Sequence, residues 1–110
     1  MACGALTPMA GPDTVLIRND AHFPLTVEAS PSGEQLEVAA CSTVVMSLDQ
    51  AGWRVAIDGR HAFSHEEVVA SGIDRSDRWV RIDVTSNDLI ADVRVGEAPE
   101  PGIIAACADV

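Results

Sequence analysis

The sequence predicts an all-β domain: a two-sheet β-sandwich of seven to eight short strands, with one short helix near 65–71. Three observations predict it. Apolar and polar residues alternate in seven successive segments between residues 14 and 95, the pattern of strands buried on one face. Turn-forming residues separate those segments. The core must come from Val, Ile, Leu and Ala, because Phe23, Trp53, Phe63 and Trp79 are the only aromatic residues, and such a composition suits a pleated, half-buried surface. A small barrel is the alternative closure of the same strands.

Residues 1–13 read as an extended leader, in which Pro8 and Pro12 oppose helix. Val15 and Ile17 then share one face of a first strand. Leu25, Val27 and Ala29 alternate with Thr26 and Glu28, and Leu36 and Val38 with Gln35 and Glu37. Ser30-Pro31-Ser32-Gly33 turns the chain between these two segments. Val44, Met46 and Leu48 form the next apolar face, and Trp53, Val55 and Ile57 the one after. Asp58-Gly59 is a two-residue hairpin signal, because both central positions of a type I′ turn need positive φ; it predicts a short strand over Arg60–Phe63. Ser64-His65-Glu66-Glu67 has capping-box spacing and Gly72 is placed to stop a helix, so a helical turn is expected at about 65–71. Asp74–Asp77 is a polar loop. Val80, Ile82 and Val84, then Leu89, Ala91, Val93 and Val95, complete the strands, joined at Ser86-Asn87-Asp88. The domain is therefore expected over 14–96. Residues 97–110 are read as a linker followed by an apolar tail, Ile103–Val110, that docks on the body.

At 110 residues the chain is long enough for one domain with a real core. Seventeen acidic residues face seven basic ones, for a formal net charge of −10. All the basic residues are Arg, and the chain has no Lys and no Tyr; both absent residues have A/T-rich codons, which points to a high-GC genome. The negative field argues against direct nucleic-acid or anionic-lipid binding through a basic surface. It admits basic partners, cations or mimicry of a nucleic acid. The acidic residues are scattered, with no run longer than Glu66-Glu67, as on a solvated face. No segment approaches the ~20 apolar residues of a membrane span.

Cys3, Cys41 and Cys107 are too far apart for zinc-ribbon, thioredoxin-like or haem-attachment spacings. Cys41 falls between two predicted strands and Cys107 in the apolar tail, so a Cys41–Cys107 disulfide would pin the tail to the sandwich. Two separately buried thiols are the other reading. Cys3 is then odd. Met1-Ala2-Cys3-Gly4, followed by the Pro/Gly-containing leader to residue 13, resembles the start of processed bacterial lipoproteins, whose mature chain begins with a lipid-bearing Cys and a flexible tether. The resemblance implies lipidation at Cys3, anchoring to a membrane and an outward-facing cell-envelope address, with Met1-Ala2 in place of a removed signal peptide. An incidental cysteine of a cytoplasmic protein is the alternative. The body is similar in layout to immunoglobulin-like sandwich domains of actinobacterial exported proteins. The phrases that carry the likeness are Val15-Leu16-Ile17-Arg18-Asn19-Asp20 and Gly52-Trp53-Arg54-Val55-Ala56-Ile57-Asp58-Gly59. It implies a fold and an envelope address, not a ligand.

No catalytic, cofactor or metal site is expected. His61 and His65 in a strand would lie ~13 Å apart at about 3.3 Å per residue, too far to share an ion. Cys107 has no following His, which argues against a blue-copper site. Ser64, His65 and Asp74 can be written as a triad, but there is no nucleophile elbow, His-Glu-x-x-His motif, phosphate loop or dinucleotide fingerprint, and Ser64 already serves as a cap. Trp53 is in phase with Val55 and Ile57 and belongs to the core. Trp79 is in phase with Arg81 and Asp83 on the opposite face; with Arg78 and Arg81 it is the candidate partner contact, unless the tail or the helix packs over it. The leading reading is a non-enzymatic binding module, the soluble domain of a small envelope lipoprotein with a protein partner. The alternative is a cytoplasmic acidic adaptor or inhibitor of phage or mobile-element type acting on a basic partner. An enzyme would require the three histidines to converge. Pairing of exposed edge strands leaves the oligomeric state open.

Overall fold

Among the described residues the period-two pattern becomes eight strands and two short helices: β1 (Asp13–Asn19), β2 (Leu25–Ser30), β3 (Glu34–Val38), β4 (Ser42–Leu48), β5 (Arg54–Ile57), β6 (Arg60–Ser64), α1 (His65–Ala70), β7 (Arg78–Val84), β8 (Leu89–Val95) and α2 (Ala105–Ala108). The structure, a computed structural model, describes residues 13–108. The strands form two four-stranded sheets, ordered β4-β1-β7-β8 and β3-β2-β5-β6, packed face to face as a β-sandwich. The leader and Cys3 lie outside the described residues, apart from Asp13, which begins β1.

Alternation decides what each sheet buries. In β1 and β7, which run parallel, Val15 stands beside Val80 and Ile17 beside Ile82. On the other side of β1, Met46 of antiparallel β4 stands beside Val15. The facing sheet contributes Leu25, Val27, Ala29, Val55, Ile57 and Phe63, and Trp53 and Val68 fill the end. Burying each of these larger aliphatic side chains contributes roughly 1.5–3 kcal/mol, which is why the aliphatic composition suffices. Leu89, Ala91 and Val93 of the edge strand β8 are only partly buried, so the inward stripe weakens at that edge.

The turn chemistry accounts for the connections. Asp58 (φ 50°) and Gly59 (φ 81°) both adopt the left-handed conformation that the type I′ hairpin requires. Asp58 tolerates it because its backbone N–H donates to the Thr26 carbonyl and its Oδ1 accepts from the Thr26 N–H, both at 2.9 Å. Helix α1 begins as its capping box dictates: extended Ser64 accepts from the Glu67 N–H and its hydroxyl donates to Glu67 Oε1. It ends at Gly72 (φ 77°), whose N–H reaches the Val69 carbonyl. The last segment leaves β8 and comes to lie beside the start of β4. Ile103 forms an antiparallel bridge with Ser42, and the Thr43 N–H donates to the Gly102 carbonyl at 2.7 Å. The tail therefore docks by strand-like pairing as well as by apolar burial.

Candidate functional site

Strand β1 is anchored at both ends, and the chemistry-bearing residues gather there. At its start, the Asp13 carboxylate accepts from Trp53 Nε1 at 2.8 Å and pairs with Arg78 Nη2 at 3.4 Å, with His65 Nε2 at 4.0 Å. Arg78 also donates to the Ile73 carbonyl at 2.7 Å. This node ties the entry of β1 to β7, to the turn before β5 and to α1. Its groups are spent on one another, so it reads as a structural plug.

At the far end, Asn19 is fully buried, with 0% of its surface exposed. Its amide N–H groups reach the carbonyls of Phe23 (2.8 Å), Ala39 (3.1 Å) and Val38 (3.2 Å), and its Oδ1 accepts from the Ala21 N–H (3.0 Å). One side chain thus fixes the loop after β1 against the turn between β3 and β4. Cys41 sits in that turn with φ 53°, an uncommon conformation for a non-glycine residue. Its N–H donates to the Ala21 carbonyl at 3.1 Å, and its own carbonyl accepts from the Ile104 N–H at 2.8 Å. The Cys41 and Cys107 sulfurs lie 2.04 Å apart, the distance of a disulfide. With Ile104 they form a small buried cluster separate from the main core. His22 completes the corner, its Nδ1 3.8 Å from Cys41 Sγ. The sequence reading paired the two cysteines but left His22 out, because nothing in linear spacing links it to Cys41 or Cys107. The local signal is its place in the short loop 20–24 immediately after a buried strand.

The three candidate contact residues separate. Alternation along β7 puts Arg78 on the side of Val80 and Ile82, where it meets Asp13, and puts Trp79 and Arg81 on the outer side. Trp79 is only 7% exposed, so it is not an outward contact; its indole Nε1 is buried without a partner. Arg81 does reach the outer surface. It stands beside Leu16 of β1 and Asp92 of β8, and its Nε binds Asp83 at 3.0 Å. Together with Leu16, Arg18 and Thr43 it lines a groove closed on one side by Pro99 and Ile104 of the crossing tail. Arginines and aspartates two residues apart recur as Arg18/Asp20, Arg75/Asp77, Arg81/Asp83 and Asp92/Arg94. Arg81/Asp83 and Asp92/Arg94 lie within β7 and β8, where that spacing places both partners on one face, and the outer surface there becomes a patchwork of opposite charges. Each exposed pair is worth little, about 0–1 kcal/mol.

The remaining histidines do not join a site. His61 Nε2 pairs with Glu67 Oε1 at 2.6 Å, and His65 lies against the Trp53 ring at 6.3 Å between centroids. Ser64 is occupied as the cap of α1. Among the described residues no helix is long and apolar enough to cross a membrane. Comparison of the chain with protein-family models, with curated proteins and with solved structures finds no match.

Proposed function

We propose that the chain is a non-enzymatic binding module, the soluble domain of a small cell-envelope lipoprotein held to a membrane through Cys3. The observation that supports this reading best is the Cys41–Cys107 pair at disulfide distance. Structural disulfides persist in oxidising compartments and are rare in reducing cytosol. Here the bond fastens a tail already paired to β4, so it rigidifies the surface that the tail crosses. On that surface the groove lined by Arg18, Arg81 and Glu100 offers charges of both signs to a protein partner. Arg78 holds β7 to β1 through Asp13.

The test is the intact mass of protein from its native host after alkylation of free thiols, with and without reduction. A mass showing acylated Cys3, and two alkylatable thiols appearing only after reduction, is the expected result. Three free, unmodified thiols would defeat the reading. The net charge of −10 would then favour the cytoplasmic acidic adaptor, whose binding to a basic partner must weaken steeply with salt.

A further inference from the structure

We propose that His22, Cys41 and Cys107 form a redox-gated binding site for one thiophilic d¹⁰ cation, zinc being the test case: closed as the disulfide, and open to the ion when the cysteines are reduced.

The ligand atoms are already gathered. One from each residue, the two sulfurs and an imidazole nitrogen, lie within 4.8 Å of one another. In a tetrahedral site with Zn–S bonds of ~2.3 Å, neighbouring ligand atoms stand ~3.8 Å apart. The separation of Cys41 Sγ from His22 Nδ1 is 3.8 Å as it stands. Reduction frees the two sulfurs to separate to that spacing. Around His22 and Cys41 the backbone need not follow, because it is held by bonds that do not involve the tail: Asn19 to Val38 and Ala39, and Cys41 N–H to Ala21 O. Both cysteines are buried and His22 is exposed, so the ion enters from the imidazole side and keeps a fourth position facing water. Two thiolates and an imidazole select a soft or borderline ion and disfavour calcium and magnesium.

The chemistry balances. A dithiol of the surroundings gives two electrons to the disulfide and becomes a cyclic disulfide; its two hydrogens end on Cys41 and Cys107 as thiols. The incoming ion replaces both thiol protons, which pass to water, and takes the lone pair of neutral His22. The reverse exchange reforms the Cys41–Cys107 bond and expels the ion.

The experiment uses the full chain carrying Cys3→Ser, reduced with a water-soluble phosphine that takes its oxygen from water and adds no competing thiol. Cobalt(II) is titrated in, then displaced with zinc. The expected result is one cobalt per chain with thiolate charge-transfer absorption, zinc displacement at micromolar concentration, and no such complex with the oxidised protein. His22→Ala should weaken binding at least about 10-fold, no less than loss of an outer-shell partner costs, and His61→Ala should leave it unchanged. Absence of a one-to-one complex at micromolar metal, or equal affinity in His22→Ala, overturns the proposal. Should the reduced chain unfold without metal, zinc must restore the circular dichroism of the oxidised protein, and failure to do so overturns it as well.

Discussion

Asn19 is a buried polar side chain that makes four hydrogen bonds. Its amide serves three carbonyls and its oxygen serves the Ala21 N–H, and the bonds to Val38 and Ala21 are buried. Asn19→Ala strands these groups and should lower stability by about 3 kcal/mol, the upper range for a buried unsatisfied partner; chemical denaturation measures it. Asn19→Asp should do more damage, since an ionised carboxylate cannot donate to the carbonyls and is costly at zero exposure. Asp13 gives the complementary test at the other end of β1. Asp13→Asn keeps an acceptor for Trp53 Nε1, whereas Asp13→Ala leaves both that indole and Arg78 without it. Unfolding should show Asp13→Ala less stable than Asp13→Asn by about 1–2 kcal/mol. Neither role is visible in the sequence. A single Asn after an apolar strand looks like turn chemistry, and only the folded chain brings residues 38 and 39 to it.

At the scale of elements, what could be read from the sequence was what is local. The alternation of Leu25, Val27 and Ala29, the Asp58-Gly59 turn and the Ser64/Glu67 cap each depend on neighbours in sequence, and each element stands where its pattern puts it. Arg78 parts from Trp79 and Arg81 because adjacent strand residues face opposite ways, a rule that the period of two already contains. The burial of Trp79, by contrast, depends on tertiary packing. The crossing tail is the element most dependent on its covalent tie. In the loop-entropy picture a sequence separation of 66 gives about 4 kcal/mol. Cys107→Ser should lose stability of that order, and the amides of Thr43 and Ile104, which bond Gly102 and Cys41, should lose hydrogen-exchange protection well before those of Val15 and Ile17.

Over the whole molecule, the two sheets make a sandwich whose central strand comes from the beginning of the chain and whose clasp comes from its end. β1 pairs with β4 on one side and β7 on the other, while Cys41 and Cys107 bracket everything from β4 to α2. Charge is distributed to match: Arg81 and Arg94 on the outer face of β7 and β8 are balanced by aspartates two positions away, so the excess of acid does not reach that face as a continuous field. The bracket also makes the protein a covalent ring, with the strands before residue 41 outside it and β1 wedged between two of its members. A ring cut once remains one molecule. Trypsin has an exposed target in Arg75, in the loop before β7. Cleavage there should give a single band on a non-reducing gel and two bands only after reduction, and the nicked chain should still melt cooperatively. A domain built this way resists proteases by keeping its severed ends together, not by hiding its loops.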